Sequence, residues 1–168
     1  MIPKRRNPAS TVISDGPHLD EVLDFMRTLW AVDHGLRSLS KDMRNCLGVT
    51  GPQRLVLRML ERFPASKPGD LSVLLHLDPS TLTGILKRLE HRRLLSRIPD
   101  PTDGRSAQLR LTARGGAFSP PRRGTVEDSV RRTLAKLPPW KIEAAKQVLQ
   151  SLADDLQNTV AQRKGKRV

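Results

Sequence analysis

The sequence predicts a mainly α-helical domain carrying a small β-hairpin, and three observations select that fold class. Apolar residues recur in steps of three and four over most of the chain. Aromatics make up only 3% of the 168 residues and tyrosine is absent, so an aliphatic helical core is expected rather than a β-sandwich. One stretch, residues 94–112, abandons the helical period for alternation on either side of an Asp103-Gly104 turn.

Residues 1–17 are polar, unpatterned and rich in proline, and are expected to form a flexible basic arm. A helical line then begins at Leu19 and continues through Val22, Leu23, Met26, Leu29, Trp30, Leu36, Leu39, Met43 and Leu47, with Asp33 its one polar member. Gly48 is placed to cap its C-terminus. A helix of this length often serves helix–helix contact between subunits. Thr50 caps a second helix, with Pro52 in its first turn and Leu55, Leu57, Leu60 and Phe63 as its apolar residues, and "PASKPG" ends it. Asp70 is expected to cap a short third helix, "LSVLLHL", and Asp78-Pro79 to stop that helix and start a fourth.

In the fourth helix Leu82, Ile85, Leu86 and Leu89 make a buried stripe. The opposite face carries Ser80, Thr81, Gly84, Lys87, Arg88 and His91. "LLSRI" and "AQLRLT" follow as strands, the second turning Ala107, Leu109 and Leu111 to one side and Gln108 and Arg110 to the other. Glycines and the adjacent prolines in "RGGAFSPPRRG" forbid a continuous helix and predict a break near 119–124. A new helix starts at Thr125, with Asp128 completing a capping-box-like pair and Val126, Val130, Leu134 and Leu137 in line. The last helical line is Ile142, Ala145, Leu149, Leu152, Leu156 and Val160, before a basic tail at 163–168. A short helix, a tight turn, a second helix and a hairpin together make a winged helix-turn-helix. The expected organisation is one domain over 18–162. Within it the winged helix-turn-helix occupies about 50–112, flanked by helical segments at 18–47 and 125–162.

Charge narrows the function. Thirty Lys and Arg against 17 Asp and Glu give a net charge of +13, which favours a polyanionic partner, double-stranded DNA first. A basic surface kept for solubility is the bland alternative. Walker, dinucleotide-binding, nucleophile-elbow and zinc-protease motifs are absent, so no enzyme and no cofactor is expected. His18, His34, His76 and His91 show no metal-ligand spacing. The single cysteine, Cys46, beside Leu47, is expected to be buried or inert. No stretch reaches the roughly 18 apolar residues of a membrane span, and no signal-type apolar run follows the basic start. A soluble protein of the cytoplasm and nucleoid is therefore expected, with no membrane partner.

The candidate DNA-binding residues are Ser80, Thr81, Thr83, Gly84, Lys87 and Arg88 on the fourth helix and Asp103 and Arg105 on the wing. Short hydroxyls in the first turns of a helix suit base edges in the major groove, and glycine permits close approach. Lys87 and Arg88 suit phosphates. A tip arginine suits a narrow minor groove, with Asp103 orienting it. Each has a plain counterpart as a solvated helix face or a surface turn. The local excess over residues 80–114, eight basic against three acidic, favours the functional reading. Trp30 and His34, one helical turn apart, are candidates for an aromatic or anionic ligand, or else for a subunit interface.

The text "LGVTGPQRLVLRML", followed by "LSVLLHLDPSTLTGILKRLEHRRLLSRIPDPTDGRSAQLRLTARG", resembles the MarR (multiple antibiotic resistance regulator) family of bacterial transcription factors. The match lies in the recognition helix, the "D-P-x-D-x-R" wing and the "L-T-x-x-G" after it, over residues 47–115, and elsewhere in helix order alone. The resemblance implies a homodimer on a palindromic operator, with residues of about 50–112 as the DNA-binding core and the helices at 18–47 and 125–162 as the dimerisation region. It also implies a repressor released by a small aromatic or lipophilic effector. Two departures stand out: Arg93 occupies a position that is commonly glycine, and the "SPP" break interrupts a helix that normally runs through. A non-specific nucleoid or RNA-associated protein is the alternative, and a protein-interaction module with a degenerate DNA face is a third reading.

Overall fold

The computed structural model describes residues 21–103 and 106–165. The element order is α1 (Glu21–Leu47), α2 (Gly51–Arg62), α3 (Pro68–Leu74), α4 (Pro79–His91), β1 (Leu95–Pro99), β2 (Ala107–Leu111), α5 (Ala113–Gly116), α6 (Val126–Leu134) and α7 (Pro139–Gly165). The chain divides into two units, one ending at Ser38 and the other beginning at Leu39. The first is the leading part of α1, where Val22, Leu23, Met26, Trp30 and Leu36 all remain exposed. The helix and hairpin order is that of a winged helix-turn-helix.

The second unit holds the core. Val56, Leu57 and Leu60 of α2 meet Leu71 of α3, the stripe Leu82, Ile85, Leu86 and Leu89 of α4, and Leu94, Leu95 and Leu109 around the hairpin. The strands pair antiparallel with Leu95 opposite Leu111 and Arg97 opposite Leu109. Leu109 faces inward while Arg110 is exposed, as period-two alternation requires.

Capping follows the sequence closely at two helices. Thr50 accepts from the Gln53 N–H while the Gln53 side chain accepts from the Thr50 N–H, a full capping box. Asp78 accepts from the Ser80 N–H at the start of α4. At α3 the expectation fails: Asp70 lies inside its first turn, and Lys67 is the N-cap with no side-chain bond to the helix. Pro68 fits the first helical position, so the helix starts before Asp70. A lysine there forgoes about 1 kcal/mol that Thr or Ser would contribute by capping.

Elsewhere the register differs from expectation in small ways. In α2 the inward face is Gln53, Arg54, Val56, Leu57 and Leu60, so Leu55 and Phe63 turn outward. The "TVEDSVRRTLAKL" run stops as a helix at Leu134; Thr125 accepts from the Asp128 N–H as expected, but the Asp128 carboxylate accepts from the Gly124 N–H, so the box is only half closed. α7 runs to Gly165, into the stretch expected as a tail. Cys46 is exposed, because the inward side at the end of α1 is set by Leu39, Met43 and Leu47 in steps of four. The predicted break is present: α5 ends at Gly116 and the next helix begins only at Val126, capped by Thr125.

At the end of α4, Arg93 adopts φ 56, with the Leu94 N–H bonded to the Leu89 carbonyl at 2.9 Å. This closes the helix through a left-handed residue, the position where glycine costs least. Arg93→Gly is therefore expected to raise stability by about 0.5–1 kcal/mol, the left-handed penalty of a Cβ less the added freedom of the unfolded chain. Urea denaturation of the variant checks this.

Candidate nucleic-acid interface

The α4 helix is held by burying one side and offers the other to solvent. Thr81, Thr83, Lys87, Arg88 and His91 are exposed and Gly84 is half-buried. Ser80 is also exposed, but its hydroxyl donates to the Asp78 carboxylate at 2.6 Å. It thus stiffens the cap and reaches outward only as an acceptor. A methyl group added at Gly84 would meet nothing closer than the Arg88 guanidinium at 3.6 Å, so the protein's own packing does not demand glycine there. Beside α4 runs a groove of about 700 Å³ whose walls include Arg44, Thr81, Lys87, Arg88, His91 and Arg92. Of its twelve lining residues four are cationic, Arg44, Lys87, Arg88 and Arg92, and none is acidic, so the groove favours an anionic partner.

The α4 end is tied down on two sides. Arg92 donates to the Gly48 carbonyl and so closes the C-terminus of α1. Glu90 accepts from Arg97 of β1 at 2.5 Å, which links the helix to the wing.

The wing leaves α4 through β1 and returns through β2. Asp100 sits at its base, only 4% exposed, and closes the loop through its own N–H to the Ser106 carbonyl at 3.0 Å. Its carboxylate accepts from the Thr102 N–H at 2.8 Å and hydroxyl at 2.6 Å, and pairs with Lys67 at 2.8 Å. The Lys67 ammonium first, and then the Thr102 hydroxyl and N–H, hold the Asp100 carboxyl far below the usual carboxylate range. The same hydrogen bond raises the Lys67 pKa. Asp103 is exposed, and its carbonyl accepts from the Ser106 N–H at 2.9 Å. Gly104 and Arg105 lie outside the described residues.

A family model described as the MarR family matches residues 47–106, the span from the end of α1 to the wing. An HTH-type transcriptional repressor of Mycobacterium tuberculosis is 30% identical over 109 residues, which cover 65% of this chain and 78% of that protein. The chain belongs to the MarR family.

Its fold matches that of MepR of S. aureus in complex with DNA, with a TM-score of 0.65 at 18% identity over 79% of this chain and 97% of that one. The PcaV transcriptional regulator of Streptomyces coelicolor, in complex with its natural ligand, matches with a TM-score of 0.61 at 25% identity over 83% and 97%. A MarR-family chain is a transcriptional regulator rather than an enzyme. Among the described residues no cluster of acidic, histidine or cysteine side chains is arranged to hold a metal ion. No described helix is long and apolar enough to cross a membrane.

The break that departs from the MarR pattern is closed by Arg54, whose side chain is almost wholly buried. Its guanidinium donates to the Phe118 carbonyl, to the Pro120 carbonyl at 2.8 Å, and to Glu127 of α6. The neighbouring Arg58 donates to the Ser119 carbonyl. Three successive carbonyls that a helix would have bonded internally thus find arginine donors instead. Sequence reasoning missed Arg54, Lys67 and Asp100. Asp100 could have been found as the first Asp of the wing pattern, and Arg54 as a charge on the inward face of an amphipathic helix. For Lys67 the only signal is a long basic side chain at a helix start. Of the ligand candidates, Trp30 is 61% exposed and His34 is exposed as well, both on the first unit of α1.

Proposed function

We propose that this chain is a repressor of transcription that binds a palindromic DNA operator as a homodimer. The observation that carries this reading is α4 itself: a helix anchored by four buried apolar residues, exposing short hydroxyls early and cations late, next to a braced wing. In this reading Ser80, Thr81, Thr83 and Gly84 approach base edges in the major groove, and Lys87 and Arg88 take phosphates. Asp103 and Arg105 belong to a wing tip in the flanking minor groove. The repressor of M. tuberculosis and the MepR–DNA complex support the same assignment.

Residues 50–112 form the DNA-binding core and helices at 18–47 and 125–162 the dimerisation region. Exposed Val130, Leu134, Leu137, Trp140, Val148 and Leu149 are apolar surface that a second copy would bury. Two-fold symmetry then spaces the half-sites about one helical turn, roughly 10 bp, apart. Release by a small ligand is supported by PcaV, which is seen in complex with its natural ligand; in this reading the effector is aromatic or lipophilic, and Trp30 and His34 are its proposed contacts. The protein acts in the cytoplasm, on the nucleoid.

The test starts by selecting bound duplexes from a randomised library and measuring affinity for the selected duplex against random DNA. A ratio of roughly 10³ or more is expected, and one near unity means a non-specific nucleoid protein. Three variants then probe the docking face. Lys87→Ala is expected to lower the salt slope by about one unit on every sequence, and Arg105→Ala to cost about 1–3 kcal/mol at the flanking bases. Gly84→Ala is expected to stabilise the helix by about 0.5–1 kcal/mol while weakening binding, because the added methyl meets DNA rather than protein. Unchanged affinity in all three sinks the docking face.

A further inference from the structure

The wing base is fastened to the loop between α2 and α3 at two neighbouring points. The Ser66 carbonyl accepts from the Leu109 N–H of β2 at 3.0 Å, and the next residue, Lys67, reaches the buried Asp100 at 2.8 Å. Asp100 in turn ties both arms of the hairpin loop, through Thr102 on one side and Ser106 on the other. Lys67 holds the N-cap of α3, where a short oxygen-bearing side chain would stabilise the helix, yet makes no capping bond. Local helix stability does not explain a lysine at this position; the bond to Asp100 does.

We propose that Lys67 is a positioning residue for operator binding, bracing the wing on the α2–α3 loop so that its tip meets the minor groove in register with α4. The proposal rests on the reading of the wing as a minor-groove element. Lys67 itself need not touch DNA. Its ammonium is only part-exposed and is occupied by a carboxylate that is itself buried. Without it, Asp100 would remain a buried anion with Thr102 as its one side-chain and N–H donor among the described residues, and the loop would shift to hydrate it.

Lys67→Thr separates this role from a merely structural one, because threonine should cap α3. The new cap offsets part of the stability lost with the Asp100 pair, and affinity for the duplex selected from a randomised library, measured at a matched folded fraction, is expected to fall roughly tenfold. Asp100→Asn is expected to lower affinity similarly, and the double variant no further. In an Arg105→Ala background, Lys67→Thr should cost nothing more. Undiminished affinity in Lys67→Thr overturns the proposal. So does a loss that adds fully to Arg105→Ala, or a salt slope reduced by one unit with Asp100→Asn at parental affinity, either of which makes Lys67 a direct phosphate contact. If Arg105→Ala binds as the parent does, the minor-groove reading itself fails, and this proposal with it.

Discussion

Gly115→Ala is expected to lower the stability of the protein by about 3–4 kcal/mol, toward the upper end of what a single added methyl does. A Cβ built at Gly115 lies 1.8 Å from the Leu94 carbonyl oxygen and 2.8 Å from its carbon. Those atoms are backbone, so no rotamer change relieves the clash. The Leu94 carbonyl is also bonded to the Thr112 N–H, while the Thr112 hydroxyl donates to the Arg93 carbonyl and accepts from the Gly115 N–H. Moving α5 outward by more than an ångström would break all of these together. Thermal denaturation should show a melting temperature lower by about 10 °C, taking about 2–4 °C per kcal/mol for a chain of this size. Gly116→Ala is the control. Nothing lies within 4 Å of its added methyl, so it should leave the melting temperature unchanged or slightly raised. A Gly115→Ala chain that melts with the parent would mean that α5 does not rest on Leu94.

The glycine of "L-T-x-x-G" was visible in the sequence, but the reason for it was not. Text alone shows a small residue three places after a threonine. Only the packing shows that the backbone of Leu94, just before β1, is approached there by another backbone. The same division runs through the molecule. The Thr50 box and the Asp78 cap rest on contacts within a few residues, while the α4 stripe and the hairpin are marked by helical period, strand alternation and a turn, all of which local text carries. The helix break was legible for the same reason, since proline removes its own donor.

Long-range polar contacts left no such mark. Arg54 and Phe118 are 64 residues apart, and Lys67 meets Asp100 across α3, α4 and β1. Nothing in either neighbourhood specifies the partner. The misplaced α3 start has a related cause. Asp70 has the composition of a cap, but the true N-cap position had been given to a side chain with a distant partner. On α4 most of the candidate face was legible from helical period alone, with Ser80 the exception because its hydroxyl turns back to Asp78.

The substitution with the largest expected effect is Arg54→Met. Arginine at this position is 1% exposed and supplies donors to two carbonyls and one carboxylate, all in the segment that replaces a continuous helix. Methionine matches its length and apolar stem but donates nothing. The Phe118 and Pro120 carbonyls would then lose their partner, and Glu127 its cation. Removing one member of a buried ion pair costs about 3–5 kcal/mol, because what remains is desolvated and unpaired. Glu127 is part-exposed and recovers some hydration, so most of the penalty falls on the carbonyls. Arg54→Lys should recover less than half of it, since an ammonium cannot span three acceptors with the fixed fork of a guanidinium. Arg58→Met is the milder comparison: its side chain is about a third exposed and bonds one carbonyl of the loop. Equilibrium urea unfolding of the three variants ranks them, with Arg54→Met lowest. If Arg54→Met instead unfolds at the denaturant midpoint of Arg58→Met, water rather than the guanidinium satisfies the loop. Should the expected order hold, the onset of α6 is set by α2, and Arg54→Met should weaken the proposed self-association as well as stability. Self-association measured by sedimentation at matched folded fraction separates those two effects.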